Sequence, residues 1–160
     1  GISTVFTSVS GSAEVKRGSK KTNPNVRVRG ADENYLSIKA IKLEAGRNFS
    51  QMEIRYGTGV VIIGKELQET LFESNENPLN EKITVFGRPY TVIGILEKQG
   101  GVGRDQGADR QILMPIENAS RLDQRGTFNY RITGVASDPG KLDYELIRRF
   151  LHYTKIGGQR

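Results

Sequence analysis

The chain has 160 residues, enough for one domain with a core of its own, since domains commonly hold about 100 to 150 residues. Apolar residues at 36% and charged residues at 26% fit a folded chain rather than a disordered one. There is no cysteine and one histidine, His152, which excludes disulfides and a cysteine nucleophile and leaves no residue set for structural zinc.

No window approaches the roughly 18 consecutive apolar residues of a membrane-crossing helix. Gly1-Ile2-Ser3-Thr4 has neither the basic start nor the apolar run of a signal peptide. Such a start fits a cytosolic protein if the chain is complete. It carries no such meaning for a domain of a longer membrane protein, whose neighbouring membrane segment directs export. The formal charge of +6 leaves open nucleic acid, an anionic membrane surface or an acidic partner. The densest run, Lys16-Arg17-Gly18-Ser19-Lys20-Lys21, lies among glycine, serine and asparagine and reads as an exposed, solvated loop. No aromatic residue falls between Lys16 and Arg29, so the stacking platform of a single-strand binder is missing.

In chain order, Ile2 to Ser10 predicts a strand with a turn at Gly11-Ser12. Val26 to Gly30 predicts another, with Arg27 and Arg29 on its outward face. Asp32 to Leu36 reads as one helical turn, and Ser50-Gln51-Met52-Glu53 is a capping box. Val60-Val61-Ile62-Ile63 is apolar throughout, which predicts a strand covered on both faces. Lys65 to Phe72 predicts a helix with Leu67 and Leu71 on one face. Lys82 to Leu96 is a hairpin with apolar positions at Ile83, Val85, Tyr90 and Val92 and a turn at Phe86-Gly87-Arg88-Pro89. Gly100 to Asp109 predicts a polar loop between strands, and Gln111 to Met114 a short strand. Pro115 is suited to the first position of a helix through Leu122. Phe128 to Val135 predicts a strand, and Asp138-Pro139 opens a last helix with Leu142, Leu146 and Phe150 on one face.

Few residues offer chemistry. Gly59 to Lys65 has phosphate-loop spacing, but its four intervening residues prefer a buried strand, and Glu66 stands where a hydroxyl would hold magnesium. Gly64 is expected to let the chain bend into the helix. Gly100-Gly101-Val102-Gly103-Arg104 lacks a helix start behind it and reads as a plain loop. His152 lies near the end of the last helix, a surface position favourable to its C-terminus. Asp105, Asp109, Asp138 and Asp143 form neither a paired-acid site nor a calcium loop, and Asp105 and Asp109 are expected to pair with Arg104 and Arg110. No serine is framed as a nucleophile elbow. Asn48-Phe49-Ser50 and Asn118-Ala119-Ser120 have glycan-acceptor spacing. No catalytic, cofactor-binding or metal residue is assigned.

The framework is more telling. Ala45-Gly46-Arg47-Asn48-Phe49-Ser50 is followed by Glu53, then by the strand Val60 to Gly64 and a helix ending in Leu71-Phe72. Pro78-Leu79-Asn80-Glu81-Lys82 makes a turn, Val92-Ile93-Gly94-Ile95-Leu96 closes the hairpin, and a later strand leads into Met114-Pro115. In this order and spacing the chain resembles the extracytoplasmic core domain of the MacB-like, FtsX-type permeases of ABC transporters. It departs at Asn80-Glu81, where one glycine is usual, and asparagine tolerates the left-handed angles of such a turn.

The fold expected is α/β of the α+β type, a mixed β-sheet with packed helices and room for a small β-rich second lobe. Residues 1–160 are expected to be one extracytoplasmic domain excised from a longer membrane permease. The resemblance implies a non-catalytic domain in the periplasm, anchored in the inner membrane, that couples ATPase-driven helix motion to export or release of cargo or to partner docking. Its implied partners are its own transmembrane helices, a second permease copy, a cytoplasmic ATPase subunit, and a periplasmic adaptor or cargo, with no nucleic acid and no cofactor. Lys16 to Asn25 and Gly100 to Asp109 are the loops expected to make contacts. The competing reading is a stand-alone module for an anionic ligand or nucleic acid.

Overall fold

Val60 to Ile63 sit at the centre of the molecule because no face of that segment tolerates water. All four are buried, and their side chains alternate between two apolar clusters. The computed structural model describes residues 3–99, 107–122 and 129–136. Within them the strands are β1 (Ser3–Ala13), β2 (Val15–Arg17), β3 (Lys20–Lys21), β4 (Val26–Ala31), β5 (Leu43–Gly46) and β6 (Val60–Ile63). β7 (Lys82–Val85), β8 (Arg88–Leu96), β9 (Gln111–Pro115) and β10 (Asn129–Ala136) follow. The helices are α1 (Tyr35–Ile38), α2 (Gln51–Tyr56), α3 (Lys65–Leu71) and α4 (Ile116–Leu122).

All strands join one mixed sheet in the order β10-β1-β4-β9-β6-β8-β7-β2-β3, with β5 pairing on β8. The pairs β4/β9 and β6/β8 are parallel and the others antiparallel. The order has a geometric consequence. β1 is second from one end of the path and β2 second from the other, yet only Glu14 separates them. Two chain steps cover about 7 Å, so the sheet curls until its two halves meet at that residue.

The curl encloses one cluster, built from Val15, Val28, Val61, Ile63, Val85, Val92, Ile112 and Met114, with Leu67, Leu71, Ile116 and Ala119 from α3 and α4. The opposite face carries Val60, Ile62, Ile93, Leu96 and Leu113 under Tyr35, Leu36 and Ile54 of α1 and α2. No separate lobe stands apart among the described residues, because the small β2–β3 hairpin joins the sheet through β7.

Several boundaries differ from expectation. Gly11-Ser12 is not a turn: both residues pair with β4, opposite Val28 and Arg27. Residues 16–21 are not a loop but the β2–β3 hairpin, turning at Gly18. α1 starts three residues late, because Asp32 forms the turn before it, with Oδ1 accepting the Asn34 N–H at 2.9 Å. The turn between β7 and β8 is only Phe86-Gly87, both at positive φ, and Arg88 and Pro89 already pair with Val85 and Thr84. Pro115 ends β9 opposite Ala31 rather than starting α4. Asn80 takes the left-handed φ of 70° expected of it. The Ser50 capping box is complete, with Glu53 N–H to Ser50 Oγ at 3.1 Å and Ser50 N–H to Glu53 Oε1 at 2.9 Å. The last predicted helix, with Asp138, Asp143 and His152, lies outside the described residues, as do Gly100 to Arg104 and Asp105.

Candidate functional site

The phosphate-loop lookalike is chemically closed. The N–H of Gly64 donates to Gln111 O at 2.9 Å and that of Glu66 to Asp109 O at 3.0 Å, while those of Leu67 and Gln68 turn back to Gly64 O. The donors that cradle a phosphate are therefore already engaged. Glu66 is held by Arg110 Nε at 3.1 Å. Gly64 itself has ordinary angles, φ −73° and ψ 163°, so bending is not why glycine stands there. A side chain would run into the backbone of Asp109, whose chain crosses directly over it.

Asp109 is not an ion-pair partner of Arg110. Its Oδ1 accepts the Gln99 N–H at 2.7 Å, and Arg110 turns to Glu66 instead. Asn118 is buried and its Nδ2 donates to Thr58 O at 2.6 Å, so that glycan-acceptor sequence is closed in the folded chain. Beside it, Arg121 donates to Gly57 O at 3.0 Å, and together the two residues clamp α4 onto the end of α2. Asn48 Nδ2 likewise donates to Glu33 O at 2.9 Å. Among the described residues no group of three or more histidine, cysteine, aspartate or glutamate side chains comes together to hold a metal.

Of the two segments expected to make contacts, residues 100–106 lie outside the described residues, and the basic run is a hairpin rather than a solvated loop. Arg17 makes a two-point bond to Glu76, at 3.3 and 2.8 Å, and donates to Leu71 O at 3.2 Å. Its guanidinium also lies 4.2 Å from the centre of the Phe72 ring. The hydrogen bond from Arg17 holds the Glu76 carboxyl below its usual range. Lys20 pairs with Glu73, and Lys16 with Glu14 at 3.4 Å. The hairpin is thus latched to the end of α3. Glu76 and Glu73 are more than fifty residues away in the chain, and no local signal marks them. Between the hairpin and α3 lies a cleft of about 250 Å³, lined by Lys21, Thr22, Asn23, Asn25, Glu66, Leu67, Thr70 and Arg110.

The rest of the exposed surface is sparsely apolar. Met52 and Tyr56, one turn apart on α2, are more than half exposed, as the outer side of a helix whose Ile54 faces the core. No described helix is long and apolar enough to cross a membrane.

A scaffold of this kind, with a capped Gly-Arg-Asn-Phe loop and a twice-covered central strand, agrees with one family. Residues 2–143 match the MacB-like periplasmic core domain. The chain belongs to that family. It is 30% identical over 119 residues to the pyoverdine export ATP-binding/permease protein PvdT of Pseudomonas fluorescens (strain Pf0-1), covering 74% of this chain and 18% of that protein. It is also 30% identical over 102 residues to the uncharacterized ABC transporter permease YknZ of Bacillus subtilis (strain 168), covering 64% of this chain and 25% of that one. The chain thus spans a quarter or less of these curated relatives. The crystal structure of the periplasmic region of MacB from Actinobacillus actinomycetemcomitans superposes with a TM-score of 0.70 at 22% identity, covering 96% of this chain and 67% of that one. At that identity the likeness speaks to fold, and there it agrees with the curled mixed sheet. As a MacB-like periplasmic core domain, the chain is a permease module of ABC transporters, and nothing in the comparisons favours a stand-alone binding module.

Proposed function

We propose that this domain is the outward-facing part of an inner-membrane ABC permease and that it performs no chemistry of its own. In this reading it passes motion from membrane helices, driven by a cytoplasmic ATPase, to an exported molecule or a docking partner. The observation that carries the proposal is the family match over residues 2–143. Supporting it, the described residues form one mixed sheet with apolar clusters on both faces, and among them no group of three or more histidine, cysteine, aspartate or glutamate side chains comes together. Related proteins are named for export of pyoverdine and of macrolides, which supports a small exported molecule as the cargo in this reading. A second permease copy and an adaptor fit the same reading.

These 160 residues have no cysteine, so a thiol introduced here, with any cysteine elsewhere in the complete protein replaced, reports the domain's compartment. Ser19, exposed in the β2–β3 turn, is the position to use. In the complete membrane protein, S19C is expected to react with a membrane-impermeant maleimide in unlysed spheroplasts. Reaction only after lysis places the domain inside the cell and overturns the proposal.

A further inference from the structure

The basic run at 16–21 is not uniformly neutralised. Lys16, Arg17 and Lys20 each have a carboxylate partner, in Glu14, Glu76 and Glu73. Lys21 has none among the described residues, and it stands on the wall of the cleft between β3 and α3. Also in the lining is Arg110, whose Nε is occupied by Glu66 while its two terminal amino groups have no described protein acceptor. Asn23, Asn25 and Thr22 add polar groups to the same lining. Glu66 is the one carboxylate present, set against two cations, so the cleft carries a net positive charge.

We propose that this cleft is an oxyanion subsite, taking a carboxylate or phosphate group of a small polar ligand. The free end of the Arg110 guanidinium offers two parallel donors that match a planar oxyanion, and Lys21 supplies a second, mobile cation. A volume of about 250 Å³ admits a phosphate or a short dicarboxylate and is too small for a nucleic-acid strand. With no aromatic residue in the lining, base stacking is also absent. The assignment stands apart from the transport reading, because it rests on this cleft alone.

The test is an amide-resolved NMR titration of the 160-residue chain with inorganic phosphate and, separately, with succinate, at about 0.15 M salt to suppress loose surface attraction. Saturable shifts are expected at Lys21 to Asn25, at Glu66 to Thr70 and at Arg110. Lys21→Met is expected to weaken binding about tenfold, the worth of one charge-assisted hydrogen bond. Arg110→Lys keeps the charge and removes the fork, so it is expected to weaken succinate while spectra elsewhere show an intact fold. Flotation with phosphatidylglycerol vesicles separates the sources: retention lost in Lys21→Met assigns the oxyanion to a lipid headgroup, and saturable binding of the free anions without retention assigns it to a soluble ligand. Shifts that grow linearly and spread to Arg55, Arg88 and Lys98, or Lys21→Met binding like the parent chain, overturn the proposal.

Discussion

Arg47 and Glu53 meet through two parallel N–H···O bonds of 2.8 and 2.9 Å, and the same carboxylate accepts the Ser50 N–H that starts α2. The bond from Arg47 is the main cause that lowers the Glu53 carboxyl from 4.5 to about 2. Because the folded value is depressed, the carboxylate stabilises the fold at pH above about 4.5, and this contribution is lost as pH falls toward about 2. Glu53→Gln is expected to cost about 1–2 kcal/mol at pH 7, a figure reduced for the exposure of Arg47. Urea melts of both chains should converge between pH 4.5 and pH 2. A gap that persists at the acid end contradicts the assignment.

Ile62 is wholly buried between β8 and β9, facing the layer that includes Leu36 and Phe49. Ile62→Asp places an unpartnered charge there and is expected to leave the domain largely unfolded. Ile62→Ala, which leaves a cavity instead, is expected to cost about 2–5 kcal/mol. Thermal melts of the two variants read this directly, and an unchanged midpoint for Ile62→Asp refutes the burial.

The two glycines that frame the phosphate-loop lookalike separate contact from flexibility. A Cβ on Gly59 meets only Pro89 O, at 3.7 Å, whereas one on Gly64 collides with the Asp109 backbone. Gly59→Ala is expected within about 0.5 kcal/mol of the parent, and Gly64→Ala to lose about 1–3 kcal/mol. Equal effects in denaturant melts mean that the crossing of residue 109 over residue 64 is misplaced.

The same closed backbone predicts that the Gly59 to Lys65 segment does not take up nucleotide. Calorimetry with ATP and magnesium, or with zinc, is expected to show no site tighter than about 10 μM, which is about 7 kcal/mol in affinity. A tighter zinc site, or a tighter ATP site that survives Lys21→Met, overturns this prediction.

Arg17→Ala removes the pair with Glu76, the bond to Leu71 O and the Phe72 contact at once. The expected loss is about 1–2 kcal/mol, with faster hydrogen exchange concentrated in β2 and β3. Uniform acceleration across the sheet contradicts the picture of a latched hairpin.

Features decided by neighbours in sequence were legible in it. The Ser50 capping box, the left-handed Asn80, the twice-covered Val60 to Ile63 and the Leu67/Leu71 face need nothing from elsewhere in the chain. Features decided by distant partners were not. Gly11-Ser12 has turn composition, yet β4 alongside supplies ladder bonds that keep it extended. The basic run has loop composition, and it becomes a hairpin because Val15 and Lys16 pair with Val85 and Thr84 while Arg17 finds Glu76. The cleft was invisible for the same reason: Lys21, Glu66 and Arg110 come from three separate parts of the chain.

The single residue between β1 and β2 also bears on how the chain is made. During synthesis from the N-terminus, β1 gains β4 early, but its other edge has no neighbour until β10 emerges, and β2 has no place in the sheet until β7 exists. Much of the nascent domain therefore spends its translation with an open strand edge, the form of chain most exposed to wrong pairing. That edge of β1 is covered last, when the other strands of the described sheet have already been made. A folding catalyst or holding chaperone acting on this domain has that interval in which to act, and a slowed ribosome within the β10 codons lengthens the hazard rather than relieving it.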